Sequence, residues 1–97
     1  MAGKLKLTHF DMAEVLDCPE AIAEYLNQVV EGGDLAELSR ALGHVAKAMG
    51  VAQIAERSGL GRESLYKVFQ AGAQPRYETI DRITKAMGVE LRFVPAR

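Results

Sequence analysis

Five polar side chains stand close together near the middle of the chain, and they are of the types that proteins use to contact DNA. They are Arg62, Glu63, Ser64, Tyr66 and Lys67. An arginine can bond a guanine edge or a phosphate, a serine can bond either partner, and a lysine neutralises a phosphate. A glutamate in such a set either accepts from a cytosine amine or orients a neighbouring arginine. The residue types therefore indicate a DNA contact and leave the individual pairings open.

One helix, from about residue 61 to residue 70, would present these side chains together. Leu65 and Val68 are three positions apart and form its apolar face. The polar residues lie off that face, several of them in the first turn, where recognition helices usually touch base edges. Gly61 belongs to this first turn, and we include it in the predicted interface.

A second short helix is predicted immediately upstream, over residues 53–58. A helix-turn-helix needs a small residue where its two helices cross, a tight turn that tolerates positive φ, and apolar anchors. Ala55 and Gly59 meet the first two needs. Ile54 and Leu60 supply anchors on either side of the turn. Residues 53–69 are therefore predicted to form a helix-turn-helix.

Four further side chains extend the predicted DNA interface. Gln53, at the start of the supporting helix, is expected to bond the DNA backbone or an adenine edge. Arg76, Tyr77 and Thr79 follow Pro75 at the start of another helix. Side chains and unpaired backbone N–H groups at a helix start can together hold a phosphate.

Apolar residues at helical spacing predict three helices outside this segment. The first runs from about residue 17 to the glycine pair at 32–33, the second from Asp34 to Gly50, and the third from residue 77 to residue 87. Alternation of polar and apolar residues then predicts a strand over residues 89–94, and a short extended segment near residues 4–10. The predicted fold class is mostly α, with five helices and one short C-terminal β-strand.

The single strand needs a partner, because its backbone groups would otherwise stay unpaired and its edge exposed. Residues 89–94 are predicted to pair either with a symmetry mate or with residues 5–10 of the same chain. In the first case Val89, Leu91 and Phe93 help to build a homodimer.

Length and composition predict one folded domain, because 97 residues with 48% hydrophobic and 26% charged content suit a single core. Its parts are an N-terminal extension with the first helix (1–33), a helix-turn-helix core (34–88) and the strand (89–94). One cysteine and two separated histidines predict neither a disulfide nor a metal site, and we expect no cofactor. The chain has no long apolar run, so we expect a cytoplasmic protein without a membrane partner.

An enzyme is not predicted, since the sequence has no paired carboxylates in a cleft pattern, no nucleophile motif and no phosphate-binding glycine loop. We accordingly expect no catalytic residues and no small-molecule substrate.

Charge is divided unevenly along the chain. Residues 1–50 carry four Lys/Arg against eight Asp/Glu, net −4, and residues 51–97 carry eight against five, net +3, which sum to −1. The positive half suits a surface that neutralises phosphates. The acidic half consists either of solvated helix faces or of a surface for a basic partner.

The residues of the predicted helix-turn-helix resemble the lambda-repressor/Xre type. The resemblance rests on Gln53-Ile54-Ala55, Ser58-Gly59-Leu60, Arg62 and Leu65-Tyr66-Lys67, and it covers roughly residues 35–89. It implies a lambda-repressor-like fold for the five predicted helices.

Three longer segments resemble the probable addiction-module antidote family. They are residues 19–26 (PEAIAEYL), 42–50 (LGHVAKAMG) and 59–67 (GLGRESLYK). This resemblance implies a type II antitoxin that binds a small, basic RelE/ParE-like toxin and represses their shared operon. The family often has Ala-Leu-Ser after the lysine, whereas this chain has Val68-Phe69-Gln70, which puts the following loop in question.

Together these observations predict a homodimeric repressor whose two recognition helices, roughly 34 Å apart, contact a palindromic operator in double-stranded DNA. The alternative is a protein-interaction module that sequesters a partner without specific DNA binding, and the acidic first half favours it. Loss of DNA binding on changing Arg62 and Lys67 to alanine would distinguish the two.

Overall fold

The computed structural model describes residues 18–96, which contain five helices. In chain order they are α1 (Pro19–Glu31), α2 (Leu35–Met49), α3 (Val51–Ser58), α4 (Arg62–Val68) and α5 (Tyr77–Ala86). The five predicted helices are thus confirmed, with starts and ends that differ by a few residues. The extended segment predicted near residues 4–10 lies outside the described residues, and so does Asp17.

The first two helices begin differently. Cys18 is the N-cap of α1 and makes no capping bond with its side chain, while proline stands at the first helical position and needs no N–H partner. Asp34 caps α2 through Oδ1, which accepts a hydrogen bond from the backbone N–H of Ala36 at 2.9 Å. Asp34 is thus the N-cap of the helix that the sequence predicted to start there.

One cluster of buried apolar side chains holds the helices together. Every helix contributes, and the side chains that are 1% exposed or less include Ile22, Leu42, Val45, Ile54, Leu65 and Ile83. The helices α1 and α2 pack along each other, and α3 contacts both α2 and α5. Because α3 and α4 sit on this shared core, the core sets the position of the polar residues of α4.

The predicted C-terminal strand is wrong for the residues that the structure describes. Residues 89–96 have no strand assignment, and only Val89 turns inward, with 9% of its surface exposed. A strand depends on hydrogen bonds to a neighbouring strand, and residues 18–96 contain none. Alternating apolar residues show that side chains could point to opposite faces. They do not show that a neighbouring strand is present to accept and donate the backbone hydrogen bonds.

Candidate nucleic-acid interface

The turn between α3 and α4 adopts the tight, left-handed form that the sequence predicted. Gly59 has φ 78° and ψ 9°, and its N–H donates to the carbonyl of Ala55 at 3.0 Å. Glycine tolerates this conformation without steric cost, which other residues rarely do. The supporting helix begins at Val51, two residues before the predicted start at Gln53.

A serine that the sequence reasoning missed also fixes this turn. Ser58 is 7% exposed; its hydroxyl donates to the Ala55 carbonyl at 3.4 Å and accepts from the Leu60 N–H at 3.2 Å. One side chain therefore joins the last turn of α3 to Leu60, the second residue of the loop. A small polar residue directly before a C-terminal glycine was the available signal, since such hydroxyls often bond nearby backbone groups.

The apolar anchors of the predicted helix-turn-helix lie where the sequence placed them. Ile54 and Leu65 are fully buried, and Val68 is 8% exposed. Leu60 and Ala55 are half-buried and pack against the same cluster. The orientation of α4 is consequently fixed by side chains from both sides of the turn.

The polar residues of α4 all face solvent. Arg62, Glu63, Ser64 and Lys67 are exposed, and Tyr66 keeps 46% of its surface accessible. The helix covers Arg62–Val68 and is shorter than the predicted 61–70, but it includes these five residues. The structure thus brings them together on one exposed surface.

Gly61 is the N-cap of α4, and its conformation does not require glycine. Its φ of −72° and ψ of 158° are ordinary extended values, and a β-carbon built there would meet no atom within 4 Å. The fold therefore gives no reason for the missing side chain. The space in front of the Gly61 backbone is open to an outside molecule.

The residues predicted around α4 lie at the starts of the neighbouring helices. Gln53 is exposed in the first turn of α3, and Arg76 is the exposed N-cap of α5. Tyr77 is 65% exposed, whereas Thr79 is half-buried. Thr79 is accordingly the least accessible member of the predicted set.

A shallow depression joins the end of α4 to the loop before α5. It has a volume of about 290 Å³ and is lined by Lys67, Val68, Ala73, Gln74 and Pro75. Arg76 follows directly on Pro75, so the basic ends of α4 and α5 border the same surface.

The basic side chains of this surface have no acidic partner within residues 18–96. The ion pairs of that part of the chain are Arg82–Glu78, Lys85–Asp81 and Arg92–Glu90. Arg62, Lys67 and Arg76 take part in none of them. Three exposed cations without an acidic partner in the described residues suit an anionic partner such as a phosphate backbone.

Comparison with known proteins identifies the family. A family model described as "Probable addiction module antidote protein" matches residues 6–95. The chain belongs to the probable addiction module antidote family. Membership in the antidote family implies an antitoxin role for this chain and a toxin as its partner.

A second comparison links this antidote-family chain to a bacterial protein. An uncharacterized protein of Haemophilus influenzae (strain ATCC 51907 / DSM 11121 / KW20 / Rd) is 33% identical over 92 residues, which cover 95% of each chain. No solved structure matches the chain.

The structure answers the question that Phe69 raised about the loop of this antidote protein. Phe69 is half-buried at the C-terminal end of α4, where its N–H donates to the Leu65 carbonyl at 3.0 Å. A β-carbon built on Gly43 of α2 would lie only 3.0 Å from Phe69 Cβ and 3.2 Å from its Cγ. The phenylalanine therefore packs closely on α2 and holds the end of α4 there.

Sequence reasoning missed this contact between Gly43 and Phe69. The signal was a glycine in the middle of a strongly predicted helix, which costs stability unless something packs against it. Gly43 is buried, and its φ lies outside the positive region. Lack of space beside α2, rather than backbone conformation, explains the glycine.

The His, Cys, Asp and Glu residues in the described part of the chain do not form a candidate metal site. Among residues 18–96 no group of three or more His, Cys, Asp or Glu could hold a metal ion. His44 is exposed, and its Nδ1 lies 3.5 Å from the hydroxyl of Tyr25. Within the same range, no helix is long and apolar enough to cross a membrane.

Proposed function

We propose that this antidote-family protein is a sequence-specific DNA-binding repressor that controls its own operon and neutralises a small RelE/ParE-like toxin. In this proposal α3 and α4 form a lambda-repressor-type helix-turn-helix, and α4 enters the major groove. The observation that carries the proposal is the exposed polar surface of α4, held rigidly by the Gly59 turn and by buried Leu65.

Three features of this surface support contact with DNA. Arg62, Lys67 and Arg76 have no acidic partner in residues 18–96, which makes them available to phosphates. The bare backbone at Gly61 allows a close approach. Ser64 and Tyr66 offer hydroxyls beside the cations, and such groups bond phosphates or base edges.

Two copies of the chain would be needed to contact a palindromic operator. The three residues predicted to build the dimer are not equivalent. Val89 is 9% exposed and packs in its own core, while Phe93 is fully exposed. Phe93 is therefore the residue that we propose for contact between copies, whereas Leu91 is only 42% exposed.

The test is a salt-dependent anisotropy titration against a duplex from upstream of the gene, with a scrambled duplex as competitor. Specific binding is expected to be at least about 10³-fold tighter than binding to the scrambled duplex. The double variant Arg62→Ala/Lys67→Ala should abolish that preference and lower the salt slope by about one per lost phosphate contact. The double variant Arg40→Ala/Lys47→Ala, which removes one arginine and one lysine from exposed positions of α2, is the matched control and should bind like the wild type.

The second candidate is an interaction module that sequesters a partner and does not bind DNA specifically. It is favoured by the acidic character of α1 and α2, since residues 18–50 carry five Asp/Glu against two Lys/Arg. Equal binding to both duplexes, with the toxin present as well as absent, would support this candidate and contradict the repressor.

A further inference from the structure

A groove lies between α1, α2, α5 and the residues after α5. Its walls include Leu26, Val30, Leu38, Ile80, Glu90 and Leu91, and they are mainly apolar. No residue of α3 or α4 lines it. The groove is thus built on elements other than the two that carry the proposed DNA-binding surface.

Apolar side chains stand exposed on two sides of this groove. Val30, at the end of α1, is 52% exposed, and Leu91, after α5, is 42% exposed. Leu26 and Val89 deeper in the walls are nearly buried. Exposed apolar side chains that converge on a concave surface are typical of an interaction site, whereas scattered ones need no explanation.

The electrostatic surroundings of the groove are negative. Glu90 is the one charged residue among the described residues that line it. Glu90 pairs with Arg92 at 3.4 Å, but both side chains are exposed, so the pair contributes little free energy and can be exchanged for a partner's cation. The last turn of α1, which includes Val30, has no basic residue to offset the partial negative charge of the helix end.

The helices around the groove add to this negative charge. Residues 18–50 contain five Asp/Glu and two Lys/Arg, a net charge of −3. The complementary partner is therefore a protein that presents apolar side chains flanked by Lys or Arg. Two copies meeting groove to groove would bring like charges together, which costs free energy.

We infer that this groove is the docking site for the toxin, a basic protein that inserts an apolar side chain beside Val30 and Leu91 and places cations near Glu90 and the end of α1. The inference rests on the proposed antitoxin function. Family membership implies the toxin partner, and the groove indicates where that toxin docks. Because the groove uses no residue of α3 or α4, toxin and DNA occupy separate surfaces.

The test measures binding of the purified full-length chain to the purified product of the reading frame adjacent to its gene, by isothermal titration calorimetry. Val30→Lys and Glu90→Lys each place a cation in the groove and should weaken binding by at least about tenfold. Glu56→Lys makes the same charge change as Glu90→Lys but on exposed α3, away from the groove, and should bind within about twofold of the wild type.

Each outcome of this experiment decides something definite. If the wild type binds and all three variants bind equally well, the groove is not the docking site, while the antitoxin function stands. If the wild type does not bind, the antitoxin function and the docking site both fail.

Two measurements on the free protein test the other occupants of the groove. A lower molar mass for Val30→Lys in light scattering would assign the groove to a second copy. A Tm several degrees below that of Glu56→Lys would indicate that the chain itself covers the groove. Either result would overturn the toxin site, whereas unchanged mass and Tm together with lost toxin binding would establish it.

Discussion

The surface of α4 and the groove beside α1 are built on one shared core of buried side chains, and they differ in almost every physical respect. The α4 surface is polar, carries cations that have no acidic partner among residues 18–96, and follows a turn fixed by Gly59 and Ser58. The groove is apolar and bordered by negative charge. A small domain can therefore offer two chemically opposite surfaces from one core, provided that each uses different elements.

The largest expected effect comes from removing the anchor beneath the α4 surface. Leu65 is completely buried, so Leu65→Ala should lower the free energy of unfolding by about 2–5 kcal/mol. Urea denaturation followed by circular dichroism measures this loss. The neighbouring exposed Ser64→Ala should change stability by less than about 0.5 kcal/mol. A loss of under about 1 kcal/mol for Leu65→Ala would mean that α4 is held in some other way.

A second substitution tests whether α2 positions α4. In Gly43→Ala the new methyl group would lie 3.0 Å from Phe69 Cβ. The overpacking should cost about 1–3 kcal/mol of unfolding free energy. This cost should exceed the stabilisation of up to about 1 kcal/mol that comes from replacing a glycine within a helix. We expect a net loss of about 1 kcal/mol in urea denaturation, weaker DNA binding and unchanged toxin binding.

The matched control for this substitution is the double variant Gly43→Ala/Phe69→Ala, which removes the Cγ that the new methyl would meet at 3.2 Å. The double variant should lose less unfolding free energy than the sum of the losses in Gly43→Ala and Phe69→Ala. Strict additivity would show that the two residues do not interact.

The turn itself can be tested with two serines that share burial and differ in hydrogen bonding. Ser58→Ala removes a hydroxyl that bonds Ala55 and Leu60 and should cost about 1 kcal/mol. Ser39 is 1% exposed, and its hydroxyl has no hydrogen-bond partner in residues 18–96. Ser39→Ala should therefore be neutral or slightly stabilising. If both variants lowered the Tm equally in thermal denaturation, the hydrogen bonds of Ser58 would not stabilise the turn.

The two surfaces differ in how far the sequence could predict them. The α4 surface depends on local signals, namely a glycine turn and apolar residues at helical spacing, and these placed Ile54, Gly59 and Leu65 correctly. The groove depends on where four separate segments meet, and no spacing within one segment shows that Val30 and Leu91 line one concave surface. The strand failed for a related reason, because its backbone partner must come from elsewhere in space.

The smallest expected effect concerns the pair of helices on which the groove is built. Burial raises the pKa of Tyr25 above its ordinary value of 10.0, since a phenolate is less well solvated there. The folded state thus holds the Tyr25 proton more tightly than the unfolded state. Its contribution to stability is complete below pH 10 and is lost as pH rises through the folded pKa.

Urea denaturation between pH 9 and pH 11 should therefore show stability falling more steeply for the wild type than for Tyr25→Phe. Every other ionisable group is present in both proteins, so the difference between the two slopes isolates Tyr25. Parallel slopes would mean that Tyr25 is as well solvated in the folded chain as in the unfolded one. In that case α1 would pack less closely on α2 than the half-buried ring and its 3.5 Å approach to His44 indicate, and the wall of the groove would be correspondingly less rigid.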